Sequence, residues 1–135
     1  KFLYIVIIGI LFAMLFLIRI NKTVIPKKSP QEVNNKSIDY QIKFAKYLTR
    51  INVVLYTVYS CPHCHNQKQL FGKKASDQLN IVECAIDGKD NQYRLCQGKG
   101  INRYPSWEIY GKIYKGAKSL EQLAELSQYP EQFNQ

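Results

Sequence analysis

The N-terminal part of the chain is a continuous apolar run from Phe2 to Ile18 that carries no charge. As a helix with a rise of about 1.5 Å per residue, this run reaches roughly 26 Å, close to the ~30 Å hydrocarbon core of a bilayer. It ends in Arg19-Ile20-Asn21-Lys22, without the small-residue cleavage pattern of a secretory signal peptide. The pattern therefore predicts an uncleaved transmembrane anchor over residues 1–20, with a cleaved signal peptide as the alternative.

The apolar run is followed by a polar segment and then by a segment in which apolar residues recur at regular spacings. Residues 21–36 contain prolines, lysines and amides with little periodicity, which predicts a linker. Beyond it, apolar residues recur at spacings of three and four, as an amphipathic helix over Ser37 to Arg50 requires. These apolar positions are Ile38, Ile42, Ala45 and Leu48. We therefore expect one compact domain over residues 37–129, followed by a tail of residues 130–135.

The middle of the domain alternates predicted strands with predicted helices. Val53 to Tyr59 is a run of β-branched and aromatic residues with the length of a buried strand. Pro62 suits the first turn of a helix that continues to Phe71. A second apolar run, Ile81 to Ile86, ends at the turn signal Asp87-Gly88 and predicts a second strand. A short helix is expected over residues 91–97.

The C-terminal part of the domain predicts a hairpin and a final helix. Trp107 to Tyr110 and Ile113 to Lys115 flank Gly111-Lys112, a Gly-X signature of a tight hairpin. Ser119, with Gln122 three residues later, forms a capping box that opens a helix. The resulting order α, β, α, β, α, β, β, α predicts the thioredoxin fold, an α/β domain with helices on both faces of a mixed sheet.

The chain is strongly basic, with 19 lysine and arginine residues against 10 acidic ones and a net charge of +9. One basic cluster follows the apolar run, at Arg19, Lys22, Lys27 and Lys28, and the other basic residues are scattered singly. Because the sequence has no basic stripe interleaved with aromatic residues, nucleic-acid binding is not expected. The positive-inside rule places the domain on the cytoplasmic side, whereas the cysteine chemistry favours an oxidising compartment, and we give the cysteines more weight.

The candidate chemistry lies in the run Cys61-Pro62-His63-Cys64, between the first predicted strand and its helix. Thiol–disulfide exchange needs a thiolate as attacker and a second thiol close enough to resolve the mixed disulfide. At a helix N-terminus, unpaired N–H groups and the positive dipole end favour negative charge on Cys61, and His63 can add positive charge. We therefore predict Cys61 as the exposed nucleophile and Cys64 as the more buried resolving thiol.

Three other interpretations of these cysteines stay open from the sequence. The pair can be purely structural. Cys61 to His65 also has the C-x-x-C-H spacing of haem c attachment, with His65 as the iron ligand, although the only methionine, Met14, lies in the apolar run. A Cys₄ zinc site that includes Cys84 and Cys96 is the third, although these two are not spaced as a short zinc knuckle.

Cys84 and Cys96 are the two remaining cysteines, and we hypothesise a second disulfide between them. It would join the end of the second strand to the following helix and stabilise the domain by roughly 2–3 kcal/mol in the chain-entropy model. The alternatives to a structural role are a relay pair that passes electrons to Cys61 and Cys64, or free thiols. A disulfide between Cys84 and Cys96, in the structural or the relay role, indicates an oxidising compartment.

The dipeptide Tyr104-Pro105 precedes the predicted hairpin and completes the candidate site. A cis bond before Pro105 would suit a tight turn and would present backbone atoms to a bound substrate. An ordinary trans proline at a strand entry is the alternative.

The stretch from Val53 to Tyr129 resembles the thioredoxin-like domain fused to bacterial and plant vitamin K epoxide reductase homologues. The similarity rests on five motifs, which are Cys61-Pro62-His63-Cys64-His65, Val82-Glu83-Cys84, Asp87-Gly88-Lys89, Leu95-Cys96 and Tyr104-Pro105-Ser106-Trp107-Glu108. The resemblance implies that Cys61 and Cys64 are the redox pair. It further implies that Cys84 and Cys96 are bonded and that Pro105 is the cis-proline of the fold. It also implies a domain that follows a transmembrane helix and exchanges disulfides between substrate proteins and a quinone-reducing membrane bundle.

The sequence departs from the proteins it resembles at several points. The quinone-reducing bundle is absent from these 135 residues, so quinone reduction is not assigned to them. Ser60 stands where thioredoxins usually have Trp, and Leu55 stands where they have a buried acid, which argues against a general cytosolic reductase. The Pro62-His63 pair resembles that of strongly oxidising periplasmic thiol oxidases. Because the chain opens with Lys1 rather than Met, further preceding residues stay an open question.

These features together predict a membrane-anchored thiol–disulfide oxidoreductase that oxidises or isomerises cysteines of exported or lumenal proteins. The expected partners are substrate proteins with cysteines, the membrane, and a membrane quinone-linked thiol oxidoreductase. No cofactor or metal is expected. We expect a single-pass membrane protein whose domain faces the periplasm or thylakoid lumen. The alternative is a non-catalytic thioredoxin-like adaptor or metal carrier.

Overall fold

The computed structural model describes residues 1–20 and 33–130, with the side chains of residues 1–14 and 33–130. Most of the predicted linker, residues 21–36, and nearly all of the predicted tail, residues 130–135, lie outside the described residues. The described part consists of an N-terminal helix and an α/β domain.

The N-terminal helix, α1 (Phe2–Ile20), covers the apolar run of the sequence. Its side chains are exposed as far as they are described, through Met14. Within residues 1–20 and 33–130, no helix combines the length and the apolar character that a membrane span requires. A span needs about 20 apolar residues. The helix is therefore present as predicted, whereas the transmembrane character expected for residues 1–20 is not supported.

The domain is built on a four-stranded mixed sheet with the order β2-β1-β3-β4. The strands are β1 (Val54–Thr57), β2 (Asn80–Glu83), β3 (Ser106–Ile109) and β4 (Lys112–Lys115). Strand β1 pairs in parallel with β2, where Leu55 lies opposite Ile81, and antiparallel with β3, where Leu55 lies opposite Trp107. Strands β3 and β4 form the antiparallel hairpin. The strand that leads into the cysteine motif is thus central and hydrogen-bonded on both sides.

Within the described residues, the domain contains five helices. They are α2 (Asp39–Arg50), α3 (Pro62–Phe71), α4 (Lys73–Ser76), α5 (Tyr93–Gly98) and α6 (Leu120–Ser127). Side chains cap the start of two of them, α3 and α6. Pro62 occupies the first position of α3, where a backbone N–H would have no intrahelical partner. Ser119 Oγ accepts from the Gln122 N–H at 3.1 Å, and the Ser119 N–H donates to Gln122 Oε1 at 2.9 Å. The predicted capping box of α6 is therefore confirmed.

Two apolar clusters lie on opposite faces of the sheet, because successive side chains of a strand point to opposite sides. The larger cluster joins the strands to α2, α3 and α6, and it includes Phe44, Leu55, Phe71, Trp107 and Leu123. The smaller cluster contains Tyr56, Val82, Cys84, Cys96 and Ile101. The mixed sheet with helices on both faces fits a thioredoxin-like fold, as the sequence predicts.

The hairpin turn differs from its prediction by one residue. Ile109 pairs with Lys112, so the two turn residues are Tyr110 and Gly111 rather than Gly111-Lys112. Both have positive φ, 48° for Tyr110 and 75° for Gly111. Positive φ at both central residues is the geometry of a type I′ turn, whose twist matches that of the flanking strands.

The packing of the domain also extends into residues that the sequence assigns to the linker. Val33 is buried, and the Asn35 carbonyl accepts from the Lys73 N–H at 2.8 Å. Ser37, which the sequence assigns to the start of the next helix, lies before α2, and its Oγ accepts from the Ala75 N–H at 2.9 Å. These bonds hold the start of α4, a single turn that is too short for the sequence pattern to predict.

Candidate active site

Cys61 lies between β1 and α3, at the position that caps the helix. The Cys61 N–H donates to the Val58 carbonyl at 3.0 Å, and the Cys61 carbonyl accepts from the His65 N–H at 3.1 Å. Its Sγ accepts a hydrogen bond from the Cys64 N–H at 3.3 Å. A sulfur in this position faces the unpaired N–H groups of the first turn, which interact favourably with negative charge. Because Cys61 is only half-buried, a reaction partner can reach it.

Cys64 is the buried member of the pair, with 1% of its surface exposed. Burial, and next the hydrogen bond with Cys61, raises the pKa of the Cys64 thiol to about 12. The backbone N–H of Val58 and the charge of Lys68 act on this pKa in the opposite direction. Cys64 is therefore protonated near neutral pH. The structure places an accessible sulfur directly in front of a buried free thiol, the arrangement that exchange chemistry needs.

The peptide bond between Tyr104 and Pro105 is cis and lies next to the cysteines. The Cys61 thiol donates to the Tyr104 carbonyl at 3.7 Å, and the Pro105 carbonyl accepts from the Gly116 N–H at 2.8 Å. A cleft of about 320 Å³ opens here, lined by His63, Arg103, Tyr104, Pro105, Gly116 and Ala117. Cys61 is not among the lining residues, but the cleft lies next to the Tyr104 carbonyl that the Cys61 thiol contacts.

The residues between and after the two cysteines have separate environments. Pro62 and His63 are exposed, and His63 contributes to the cleft. His65, the iron ligand of the haem interpretation, lies one turn along the helix from Cys61. Its Nε2 is 3.0 Å from Gln69 Nε2, and its buried Nδ1 has no hydrogen-bond partner within the described part of the chain.

Cys84 and Cys96 are bonded to each other, with their Cα atoms 5.8 Å apart. Cys84 follows β2 and is 3% exposed, while Cys96 belongs to α5 and is fully buried. The Cys84 N–H donates to the Thr57 carbonyl at 2.8 Å, beside β1. The Cys₄ zinc interpretation is therefore wrong, because two of its four sulfurs are joined in a disulfide. The interpretation of Cys84 and Cys96 as free thiols is wrong for the same reason.

Helix α3 is fixed to its surroundings by a buried amide, Gln67. Gln67 Oε1 accepts from the Lys118 N–H at 2.7 Å and from Trp107 Nε1 at 3.3 Å. Gln67 Nε2 donates to the Lys118 carbonyl at 2.9 Å. These bonds join the helix that carries Cys64 to the sheet and to the segment before α6, so the two cysteines keep a constant position.

Two buried charged residues near the cysteines are not singled out by the sequence analysis. Lys68 is 7% exposed and Glu83 is 8% exposed. Lys68 lies four residues after Cys64, so both project from the same face of α3. Glu83 is the last residue of β2. The sequence contains a signal for each: a spacing of four from a buried cysteine, and an acid inside an apolar strand.

Comparison with known proteins identifies a curated relative, the thiol-disulfide oxidoreductase LTO1 of Arabidopsis thaliana. It is 35% identical over 99 residues, which cover 71% of this chain and 26% of that protein. The chain thus spans about a quarter of the length of this relative. No protein-family model matches the chain. Together with the fold and the Cys84–Cys96 disulfide, the similarity places the domain with thioredoxin-like proteins.

Proposed function

We propose that this domain is a thiol–disulfide oxidoreductase that acts through Cys61 and Cys64. One observation carries the proposal. The half-buried Cys61 sulfur caps α3, 3.3 Å from the Cys64 N–H, and the free thiol of Cys64 lies buried one turn behind it. The activity in the name of the Arabidopsis relative supports the same chemistry. The cleft beside Tyr104 and Pro105 supports a protein or peptide as the substrate.

In the oxidising direction, a substrate thiolate attacks Cys61 of the Cys61–Cys64 disulfide. The bond between the two cysteines breaks, a mixed disulfide forms at Cys61, and Cys64 leaves as a thiolate that takes up a proton. A second substrate thiolate then attacks the substrate sulfur of the mixed disulfide and releases Cys61. The substrate loses two electrons and gains a disulfide, and the domain is reduced to the dithiol. The reverse sequence reduces a substrate disulfide.

Our proposal includes the oxidising direction and an oxidising compartment, either the periplasm or the thylakoid lumen. The Pro62-His63 pair between the cysteines and the Cys84–Cys96 disulfide support it. The partners would be exported or lumenal proteins with cysteines, and a membrane quinone-linked thiol oxidoreductase that restores the Cys61–Cys64 disulfide. Attachment to the membrane through the apolar residues Phe2 to Ile18 is part of the same proposal, and the support for it is their sequence pattern.

Trapping of mixed disulfides tests the proposed exchange. The substitution Cys64→Ser removes the resolving thiol, so mixed disulfides at Cys61 should accumulate in cells that express the full chain. The cells are quenched with acid, and the adducts are separated without reductant and identified by mass spectrometry. The double variant Cys61→Ser/Cys64→Ser is the matched control and should form none. An absence of adducts in the Cys64→Ser variant would overturn the proposal.

The alternatives from the sequence give different results in this experiment. A non-catalytic adaptor or metal carrier would form no mixed disulfide, and a haem protein would show a covalent haem band. The direction of exchange is measured separately, by equilibration with glutathione buffers. A reduction potential toward the oxidising end of the thioredoxin-fold range, about −120 mV, is expected. A value near the reducing end, about −270 mV, would contradict the oxidising direction but leave the exchange chemistry in place.

A further inference from the structure

The cleft next to the Tyr104 carbonyl has a positive character. The residues that line it are His63, Arg103, Tyr104, Pro105, Gly116 and Ala117, and none of them is acidic. Arg103 is cationic at every physiological pH, and His63 is able to carry a positive charge. Both side chains are exposed. A negatively charged group that enters the cleft therefore meets a cation and no carboxylate among the lining residues.

The backbone holds Arg103 close to the proposed nucleophile. Ser106 Oγ donates to the Arg103 carbonyl at 2.6 Å, which fixes the bend before β3. The next residue, Tyr104, provides the carbonyl that accepts from the Cys61 thiol at 3.7 Å. Arg103 is thus one residue away from a backbone contact with Cys61. A substrate bonded to Cys61 and lying in the cleft would present the residues beside its own cysteine to Arg103.

Two lysines add positive charge behind the wall of the cleft. Lys118 Nζ donates to the Lys115 carbonyl at 2.7 Å and to the Gly116 carbonyl at 3.2 Å. Lys115 Nζ donates to Asn102 Oδ1 at 3.0 Å, directly before Arg103. These acceptors are neutral, so they hold the two ammonium groups in place without cancelling their charge. Both lysines therefore raise the electrostatic potential at the cleft.

The Arg103 guanidinium is available to a ligand. Among residues 33–130, no hydrogen bond or ion pair includes its side chain, and the ion pairs found there join Lys73 to Asp77 and Lys99 to Glu108. A guanidinium presents N–H donors in a planar fork that matches the two oxygens of a carboxylate. A carboxylate of a substrate can therefore pair with Arg103 without displacing a partner within the domain.

We propose that this cleft selects substrate segments with an acidic residue beside the cysteine, and that Arg103 determines the preference by pairing with the carboxylate. The inference rests on the proposed exchange function and names its substrate class. The substrate thiolate attacks Cys61 of the Cys61–Cys64 disulfide, and Cys64 leaves as a thiolate that takes up a proton from solvent. A second substrate thiolate attacks the substrate sulfur of the mixed disulfide and releases Cys61. The substrate loses two electrons to the domain, and Arg103 keeps its proton throughout.

Two synthetic peptides of identical composition test the preference. Each contains two cysteines and the same number of glutamates, which flank the cysteines in the first peptide and lie at the ends of the second, apart from the cysteines. The oxidised full chain is mixed with excess reduced peptide, and mass spectrometry of acid-quenched samples follows the loss of the Cys61–Cys64 disulfide. Each rate is divided by the rate of the same peptide with neutral hydroxyethyl disulfide, which corrects for the intrinsic reactivity of its thiols. The ratio of the corrected rates, first peptide over second, is the acidic preference.

We expect an acidic preference of about fivefold for the wild type at low ionic strength, the upper end for an exposed ion pair. It should fall toward one at about 1 M salt, which screens the charges. Arg103→Gln should lower it to about one, Arg103→Lys should keep part of it, and Arg103→Glu should invert it through repulsion. Arg94→Gln changes the net charge as much as Arg103→Gln does, at an exposed arginine of α5 outside the cleft, and should keep the wild-type value. Circular dichroism checks folding, and Arg103→Gln and Arg103→Lys decide if Arg103→Glu does not fold.

Each contrary outcome contradicts a specific statement. A wild-type acidic preference of about one would overturn the selection of acidic segments. An unchanged preference in Arg103→Gln would overturn the role of Arg103. An equal loss in Arg94→Gln and Arg103→Gln would overturn it too, because the net charge of the chain would then be responsible. If the wild type oxidises neither peptide, the proposed exchange function itself fails.

Discussion

The domain contains two pairs of cysteines that can each form a disulfide, but the two pairs have opposite structural environments. Cys61 and Cys64 are separated by two residues at the start of a helix, with one sulfur accessible and the other buried behind it. Cys84 and Cys96 join the end of a strand to another helix, and both are buried in the smaller apolar cluster. The comparison teaches that access and the adjacent helix terminus, rather than the presence of two sulfurs, separate the pair that we propose as reactive from the bonded pair.

The largest expected difference between the pairs is in exchange with an external disulfide. Cys61→Ser should slow exchange with oxidised glutathione by about 10³-fold or more, because no other accessible thiol is available as nucleophile. The double variant Cys84→Ser/Cys96→Ser should stay within about threefold of the wild type while it remains folded. The rates are measured by mass spectrometry of acid-quenched samples. Comparable losses in the two variants would remove the distinction between the pairs.

A second expected difference lies within the proposed redox pair, between Cys61 and Cys64. With its pKa raised to about 12, Cys64 is ionised in only about one molecule in 10⁴ at pH 8. Cys64 in the Cys61→Ser variant should therefore react with iodoacetamide at least about 100-fold more slowly than Cys61 in the Cys64→Ser variant. Mass spectrometry of timed samples at pH 8 measures both rates. Similar rates would show that Cys64 is not shielded in the way its burial indicates.

The Cys84–Cys96 pair is expected to affect stability instead of exchange. Its removal in Cys84→Ser/Cys96→Ser should lower the free energy of unfolding by about 2–3 kcal/mol, because the unfolded chain regains the entropy of the closed loop. Chemical denaturation of the fully oxidised proteins measures this change. The control Cys61→Ser/Cys64→Ser, compared with wild type in which only Cys61 and Cys64 are reduced, should lose less than about 1 kcal/mol. A larger loss in the control would assign the structural role to the wrong pair.

The smallest expected difference is in the response to acid. Lys99, which follows α5 and its Cys96, donates to Glu108 Oε1 at 2.9 Å, and Tyr56 donates to Glu108 Oε2 at 2.5 Å. The hydrogen bond from Tyr56, and next that from Lys99, lowers the pKa of Glu108. Ionised Glu108 therefore stabilises the folded domain at pH values above the ordinary carboxyl pKa. This stabilisation is lost as the pH falls through the lowered pKa of Glu108. Among residues 33–130, no carboxylate forms a hydrogen bond with α3, which the neutral Gln67 fixes instead.

Unfolding measurements from neutral to acidic pH test this difference. Acidification should lower the free energy of unfolding of the Glu108→Gln variant by about 1 kcal/mol less than it lowers that of the wild type. The Glu125→Gln variant, which changes an exposed carboxylate of α6, is the matched control and should follow the wild-type curve. If Glu108→Gln keeps the full acid dependence, the hydrogen bonds of Glu108 do not contribute in the way described.

The sequence predicts the fold well where several local signals agree. The strand before Cys61, Pro62 at the first position of α3, and the Ser119 capping box each combine a pattern with a specific stereochemical reason. The hairpin is less determined, because Gly111 fits a turn with either neighbour, and only the pairing of Ile109 with Lys112 decides between them. A single turn such as α4 depends on tertiary contacts with Asn35 and Ser37, which the sequence does not reveal.

The candidate site likewise contains residues that a local pattern predicts and residues whose position depends on tertiary contacts. The spacing and context of Cys61 and Cys64 are local, so the sequence is sufficient to predict them as the candidate pair. Lys68 and Glu83 carry only weak local signals, a spacing of four from Cys64 and an acid inside an apolar strand. Because charged residues are ordinarily exposed, these signals alone do not assign the two residues to the interior. Their burial follows from the tertiary packing of the domain, which becomes apparent only in three dimensions.

The most direct test of the whole account is the redox state of both cysteine pairs in one titration. The full chain is equilibrated with glutathione buffers of graded potential, quenched with acid, alkylated, and mapped by mass spectrometry without reductant. The account predicts that Cys61 and Cys64 interconvert between dithiol and disulfide within the range of about −270 to −120 mV, while Cys84 and Cys96 remain bonded throughout. Opening of Cys84–Cys96 before Cys61–Cys64, or simultaneous reduction of both pairs, would contradict it.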